Sequence, residues 1–177
     1  ASNAGAGKQI GRSPSSRPHK TTHTAEARSP MPTLSEKLIT AANRPRLIAD
    51  CARLIDEEVD KKSGLSGMFI KTAFKTVKAV KSGFIEQVID NLLDRWVEKL
   101  DGHYQRWLGA GATGTFGGFC ATDTSGVAEK LLEVTDDRAK KVDNRTIVSL
   151  YNKLRPNAKE HVVSAVPGLG RVVDRHL

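Results

Sequence analysis

The chain has 177 residues, which suits one domain of ordinary size and is too short for two. Lys and Arg number 28 against 20 Asp and Glu, and the net charge of +8 favours nucleic acid, anionic lipid or an acidic protein as partner. Two cysteines exclude a disulfide framework, and no apolar run reaches the roughly 20 residues that span a bilayer.

The first 30 residues differ in composition from the rest. They carry half of the net charge, on Lys8, Arg12, Arg17, Lys20 and Arg28 against the single acid Glu26. Ile10 is their only large aliphatic residue. Such a segment cannot offset the roughly 1–2 kcal/mol per residue needed to order a backbone. We therefore predict a basic N-terminal arm over residues 1–30, either disordered or ordered by a partner.

Three origins of this arm stay open. A composition rich in Arg and Ser and poor in acids is typical of targeting to a mitochondrion or plastid. A basic arm that binds RNA, DNA or an acidic protein has the same composition. In the third alternative the arm is not native, the domain starts at Met31, and the protein is cytoplasmic.

Residues 31–177 are predicted to be helical. Thr33 and Glu36 have the spacing of a capping box, which predicts a short helix to about residue 42. Asn43 followed by Pro45 predicts the start of a second helix. Apolar residues then recur at steps of three and four until this helix ends near residue 62.

Two more amphipathic helices are predicted at residues 66–80 and 84–100. The first carries a lysine strip, formed by Lys71, Lys75, Lys78 and, beyond the helix, Lys81. The second carries an acidic strip, formed by Glu86, Asp90, Asp94 and Glu98. We predict that the lysine strip binds a polyanion, with two alternatives: the strips pair with each other, or both are solvated faces.

Residues 109–118 contain five glycines and are predicted to form a loop or hinge. Gly109, Gly111 and Gly114 match the G-x-G-x-x-G pattern of dinucleotide-binding folds. That pattern requires a preceding strand, and here a helix precedes it, so we interpret the segment as a connector.

Short helices are predicted for the C-terminal third. One begins at Thr124 or Ser125, and the adjacent acids at 136–137 indicate another helix start. A further helix carries apolar residues at 147–154, and Pro156 and Pro167 are predicted to stop helices. Since no segment alternates apolar and polar residues, we predict an all-α fold, a compact bundle of six or seven short-to-medium helices.

Candidate catalytic groups do not converge. His19 and His23 are four residues apart but lie in the arm, and His161 is expected on the surface or at a helix start. Cys51 lies on an apolar helical stripe, and Cys120 borders the glycine connector with His103 as its only candidate base. We therefore predict that the chain is not an enzyme and has neither a cofactor nor a metal site.

Six short segments of residues 31–177 are similar to a small bacterial domain family of unknown function. They are residues 42–45, 56–59, 62–67, 77–81, 153–156 and 166–169. The resemblance implies a compact helical domain that begins near Met31, and it implies no activity, cofactor or site residue.

The function predicted from these observations is that of a non-catalytic accessory subunit. It would dock on a larger, organellar protein or ribonucleoprotein assembly with its basic arm lying on a neighbour. The alternative is a nucleic-acid-binding protein that uses the arm and the lysine strip. Peripheral membrane association is a further option that the charge leaves open.

Overall fold

The computed structural model describes residues 31–177, which form seven helices and no strand. In chain order the helices are α1 (Leu34–Leu38), α2 (Arg44–Asp60), α3 (Gly64–Val80), α4 (Phe84–Gly109), α5 (Phe116–Ala121), α6 (Thr124–Ala139) and α7 (Arg145–Asp174). The prediction of an all-α bundle is confirmed. The arm residues predicted to bind a partner, Lys8, Arg12, Arg17, Lys20 and Arg28, and the histidine pair at 19 and 23 lie outside the described residues.

The two longest helices organise the bundle. α7 packs against α2, α5 and α6, while α4 packs against α1, α2 and α6. The core between them is aliphatic, and its fully buried side chains include Leu34, Leu47, Ile89, Val127 and Val166. Burying each such side chain contributes about 1.5–3 kcal/mol, so this layer supplies the main stabilisation of the fold.

α1 and α2 start where the sequence predicts. Thr33 and Glu36 form the capping box, although α1 ends at Leu38 and not near residue 42. Asn43 precedes α2 but does not cap it through its side chain. Its amide nitrogen instead donates to the carbonyl oxygens of Leu38 and His176, both at 3.2 Å. Asn43 thus joins the end of α1 to the C-terminus.

α4 is longer than predicted. It continues from Leu100 to Gly109 because His103 and Tyr104 extend the buried face that Val97 and Leu100 begin. These residues follow the spacing of three and four that places side chains on one side of a helix. One exposed glycine, Gly102, does not interrupt this face.

The predicted glycine connector is too long by four residues, one at its start and three at its end. The linker spans residues 110–115, and residues 116–118 form the first turn of α5. The reason is tertiary packing, since Phe116 is buried and meets the ring of Tyr104 edge-to-face at 5.4 Å. Trp107 completes this aromatic cluster, with its ring centroid 5.7 Å from that of Tyr104 and 5.9 Å from that of Phe116.

Three helix boundaries predicted in the C-terminal third are wrong. Asp136 and Asp137 lie near the end of α6, where ion pairs with basic residues offset their unfavourable position at a helix C-terminus. Pro156 and Pro167 lie inside the continuous α7. Both prolines are exposed, so the carbonyl groups that lose an N–H partner lie on the solvent side of the helix.

Candidate functional site

An apolar cavity of about 420 Å³ lies within the bundle. Its walls come from α1, α2, α3, α4, α6 and α7. The deep wall is formed by fully buried side chains, among them Leu38, Leu47, Leu93, Val97 and Val166. At this wall the space is continuous with the hydrophobic core.

The wall formed by α3 is incompletely packed. In α3 only Gly67 and Ala73 are buried, so no large side chain of this 17-residue helix is fully covered. Its inward-facing side chains Ile70, Phe74 and Val77 line the cavity and are half-buried. On α7, Leu154 and Val162 line the cavity and are half-buried as well. On these two helices the cavity is therefore less completely covered than at its deep wall.

Polar side chains border the cavity where α2 leads into α3. We refer to Glu58, Lys62, His161 and Ser164 as the polar cluster. The Lys62 ammonium donates to Ser164 Oγ at 2.9 Å and lies 4.0 Å from Glu58 Oε2. Glu58 is paired more closely with Lys61, at 2.8 Å. The charge of the Lys62 ammonium is thus only loosely neutralised by Glu58.

His161 occupies a different environment from the one predicted. It lies within α7 at the cavity wall and is half-buried, because the helix start expected near it does not exist. Burial, and then the charge of Lys62, lower the pKa of His161 below its ordinary value of 6.5. Both effects favour the neutral form of its ring.

The members of the lysine strip have different surroundings. Lys78 lies 2.9 Å from Asp56 of α2 and over the ring of Phe74, and Lys81 donates to Gln87 at 3.4 Å. Lys71 and Lys75 are exposed and form no ion pair with any residue of 31–177. These two are the lysines that remain available for a partner.

The lysine strip and the acidic strip do not pair with each other. Asp90 and Asp94 both bind the Arg44 guanidinium, each at 2.8 Å, which lowers the pKa of Asp94 below its ordinary value. Of the two alternatives, pairing of the strips with each other is therefore not what the structure shows. The physical reason is that α2 lies against both helices and supplies the opposite charges, Arg44 and Asp56.

Neither cysteine is placed for nucleophilic chemistry. Burial raises the pKa of Cys51 to about 11 and that of Cys120 to about 12, so both are neutral thiols at pH 7. His103 Nε2 pairs with Asp123 at 3.1 Å. In the described part of the chain, no three His, Cys, Asp or Glu side chains are grouped as metal ligands.

The glycine pattern forms a turn between two helices. Gly109 is the last residue of α4, Gly111 and Gly114 have positive φ angles, and Thr115 caps α5. The arrangement lacks the strand that precedes the pyrophosphate site of a dinucleotide-binding fold. Its geometry is that of a connector.

Sequence reasoning did not find the cavity. The apolar residues that line it have the spacing of ordinary core residues, and no local pattern distinguishes the two. One available signal was α3 itself, since Leu65, Met68 and Phe69 lie off the apolar side formed by Ile70, Phe74 and Val77. When a helix has more apolar residues than one buried face can cover, the remaining ones are expected to contact a partner or ligand.

Comparison with known proteins identifies the family and nothing further. No curated protein and no solved structure matches the chain significantly. A model for a family of unknown function, DUF6918, matches residues 34–177, from the start of α1 to the last residue of the chain. This range contains all seven helices and the cavity, and it agrees with the predicted resemblance. The chain therefore belongs to DUF6918, a family of unknown function.

Proposed function

We propose that this protein is a non-catalytic binding protein that holds one long apolar chain, such as a fatty acyl chain, inside its helical bundle. The observation that supports the proposal is the apolar cavity of about 420 Å³. Protein interiors are packed as densely as organic crystals and contain few voids larger than a water molecule. Ligand pockets measure about 300–1,000 Å³, so this cavity has the size of a binding site.

The volume sets the length of the ligand. A methylene group is similar in size to a water molecule, whose share of liquid volume is about 30 Å³, so the cavity accepts on the order of 14 carbon atoms. Each buried methylene contributes about 0.8 kcal/mol, which gives roughly 10 kcal/mol before the costs of association. Burial of an unbranched chain of this length is thus enough for binding, without a specific hydrogen bond.

The polar cluster sets the orientation of the bound ligand. A single-chain amphiphile must keep its head group in water or pair it with a charge. Lys62 is the loosely neutralised cation at the cavity wall, and its Glu58 neighbour is already bound by Lys61. The ligand that fits best therefore has an anionic head near Lys62 and its chain between α3 and the deep wall.

Titration of the full-length protein with a fluorescent long-chain fatty acid tests this proposal. We expect saturable binding of about one ligand per chain. Ala158→Phe introduces a ring at a half-buried lining position and is expected to weaken binding at least tenfold. Ala49→Phe adds the same volume at an exposed position of α2 outside the cavity and should leave affinity unchanged.

Two results would contradict the proposal. One is the absence of saturable binding by the folded wild-type protein. The other is unchanged affinity in Ala158→Phe when circular dichroism shows that the variant is folded. In either case the cavity is not the site of an apolar ligand.

The predictions of an accessory role in an organellar assembly and of nucleic-acid binding stay predictions. The first depends on the arm, which lies outside residues 31–177, and the second depends on the arm together with the lysine strip. A carrier and an accessory subunit are both non-catalytic, so the proposal made here is compatible with the first. The absence of an enzymatic role likewise stays a prediction.

A further inference from the structure

We propose that the outer face of α3, defined by Leu65, Met68, Phe69 and Val80, docks on the surface of a membrane that contains anionic lipid. These side chains are 88%, 66%, 42% and 42% exposed. Elsewhere in residues 31–177 the only large apolar side chains exposed to this degree are Met31 and Leu177. Grouped apolar exposure of this kind marks an interaction site, whereas single exposed residues do not.

No charged side chain interrupts the outer face. Thr72 and Thr76 lie on it between the larger residues, and their hydroxyl groups donate to the carbonyl oxygens of Met68 and Thr72, at 2.9 and 3.0 Å. Both hydroxyls are thus already hydrogen-bonded within the helix. Burial of this face in the interfacial region of a bilayer leaves neither hydroxyl without a partner.

The chain segment that carries this face has basic residues and no acidic ones. Residues 61–85 contain six lysines and no acid, and Lys71 and Lys75 lie on the flank of the outer face in solvent. An apolar stripe flanked by lysines is the pattern of helices that lie in the plane of the head groups, where anionic lipid attracts the basic residues. No helix within residues 31–177 combines the length and apolarity that crossing a bilayer requires. The proposed contact is therefore a surface contact.

Other occupants fit this face less well. Nucleic acid would contact the lysines but would gain nothing from Leu65 and Met68, and single strands need stacking aromatics where this face offers only Phe69. A second copy of the chain would bring two lysine strips of the same sign together. A bilayer with anionic lipid matches both the apolar stripe and the charge. This inference depends on the outer face of α3 and not on the ligand of the cavity.

Flotation of the full-length protein with vesicles tests the proposal. Vesicles of phosphatidylcholine alone are compared with vesicles that also contain about one third phosphatidylglycerol. We expect binding to the anionic vesicles, weakened at least tenfold by Met68→Ser/Phe69→Ser and, separately, by Lys71→Glu/Lys75→Glu. All of these positions are exposed, so melting by circular dichroism should stay close to wild type.

Matched controls separate the outer face from the rest of the surface. Leu177→Ser removes an exposed apolar side chain outside α3, and Lys141→Glu/Lys153→Glu reverses two exposed lysines outside α3. Both controls should bind anionic vesicles as wild type does. Since the basic arm is present in every protein compared, differences between variants report on α3.

Three outcomes overturn the proposal. In the first, the α3 variants bind anionic vesicles as tightly as wild type. In the second, wild type binds a DNA or RNA duplex and not vesicles, and only Lys71→Glu/Lys75→Glu weakens that binding. In the third, wild type sediments as a dimer that does not bind vesicles and that Met68→Ser/Phe69→Ser dissociates.

Discussion

The backbone of Gly117 in α5 lies directly against the backbone of Gly170 in α7. A Cβ atom added to Gly170 would lie 2.7 Å from the Cα atom of Gly117, and one added to Gly117 would lie 2.5 Å from the carbonyl carbon of Gly170. Cβ atoms in proteins essentially never approach other atoms within 3.0 Å. The Gly117 N–H group also donates to Asp174 Oδ1 at 2.8 Å. Only glycine at both positions permits this crossing.

Gly170→Ala is therefore expected to destabilise the protein. The added methyl group meets backbone atoms that cannot rotate away, so we expect a loss of about 1–3 kcal/mol in the free energy of unfolding. Gly102→Ala is the matched control, because it lies within α4 with open space around it and should gain about 0.5–1 kcal/mol. Urea unfolding measures both. Equal stability of Gly170→Ala and wild type would refute the close crossing.

The crossing of α5 and α7 also shows which features of the fold could not be predicted from the sequence. Local signals correctly predicted the capping box at Thr33 and the start of α4 at Phe84, since both depend on neighbours in the chain. Gly117 was predicted to be in a connector because glycine lowers helix propensity. Its actual role is set by Gly170, which is 53 positions away in the sequence. The cavity could not be predicted for the same reason. It is bounded by six helices, and no local sequence pattern marks its lining residues.

The C-terminus is held by His176, whose ring is almost completely buried. Its Nδ1 lies 2.6 Å from Asn43 Oδ1, and its Nε2 lies 3.0 Å from Asp50 Oδ2. Because His176→Ala removes the buried polar contacts with both Asn43 and Asp50, we expect a loss of about 1–3 kcal/mol in unfolding free energy. Leu177→Ala is the control, since its exposed side chain should change stability by less than about 0.5 kcal/mol. Similar stabilities of the two variants in urea unfolding would contradict this role of His176.

Acid is expected to weaken the contact between His176 and Asp50. The hydrogen bond from His176, and then the one from Arg175, lower the pKa of Asp50 below its ordinary value. Because folded Asp50 binds a proton less readily than unfolded Asp50, its contribution is complete above the ordinary carboxyl pKa of about 3.9. It is lost as pH falls from there through the pKa of the folded state.

Comparison of Asp50→Asn with wild type isolates this contribution. The difference in unfolding free energy should be largest above about pH 5 and should shrink steadily toward pH 2. Urea unfolding at a series of pH values measures it. A difference that does not change with pH would mean that Asp50 has the same pKa in both states, in contradiction to the geometry.

Both cysteines are expected to resist thiol reagents while the protein is folded. Cys51 and Cys120 are buried, and the pKa of each thiol is raised by burial, to about 11 and about 12. The thiolate that reacts is therefore scarce at pH 8. We expect slow modification by a chromogenic disulfide in buffer and rapid modification of both thiols in guanidinium chloride. Fast labelling of either cysteine in buffer would contradict its burial.

A ligand in the cavity is expected to raise the melting temperature. A fatty acid at about 100 times its dissociation constant stabilises the folded state by about 2.7 kcal/mol if it binds only that state. For a chain of this size, 1 kcal/mol corresponds to about 2–4 °C, so the expected shift is roughly 5–10 °C. Because Ala158→Phe fills part of the cavity, its shift should be much smaller, whereas Ala49→Phe should shift as wild type does. Scanning calorimetry measures all three, and equal shifts in all of them would place the ligand elsewhere.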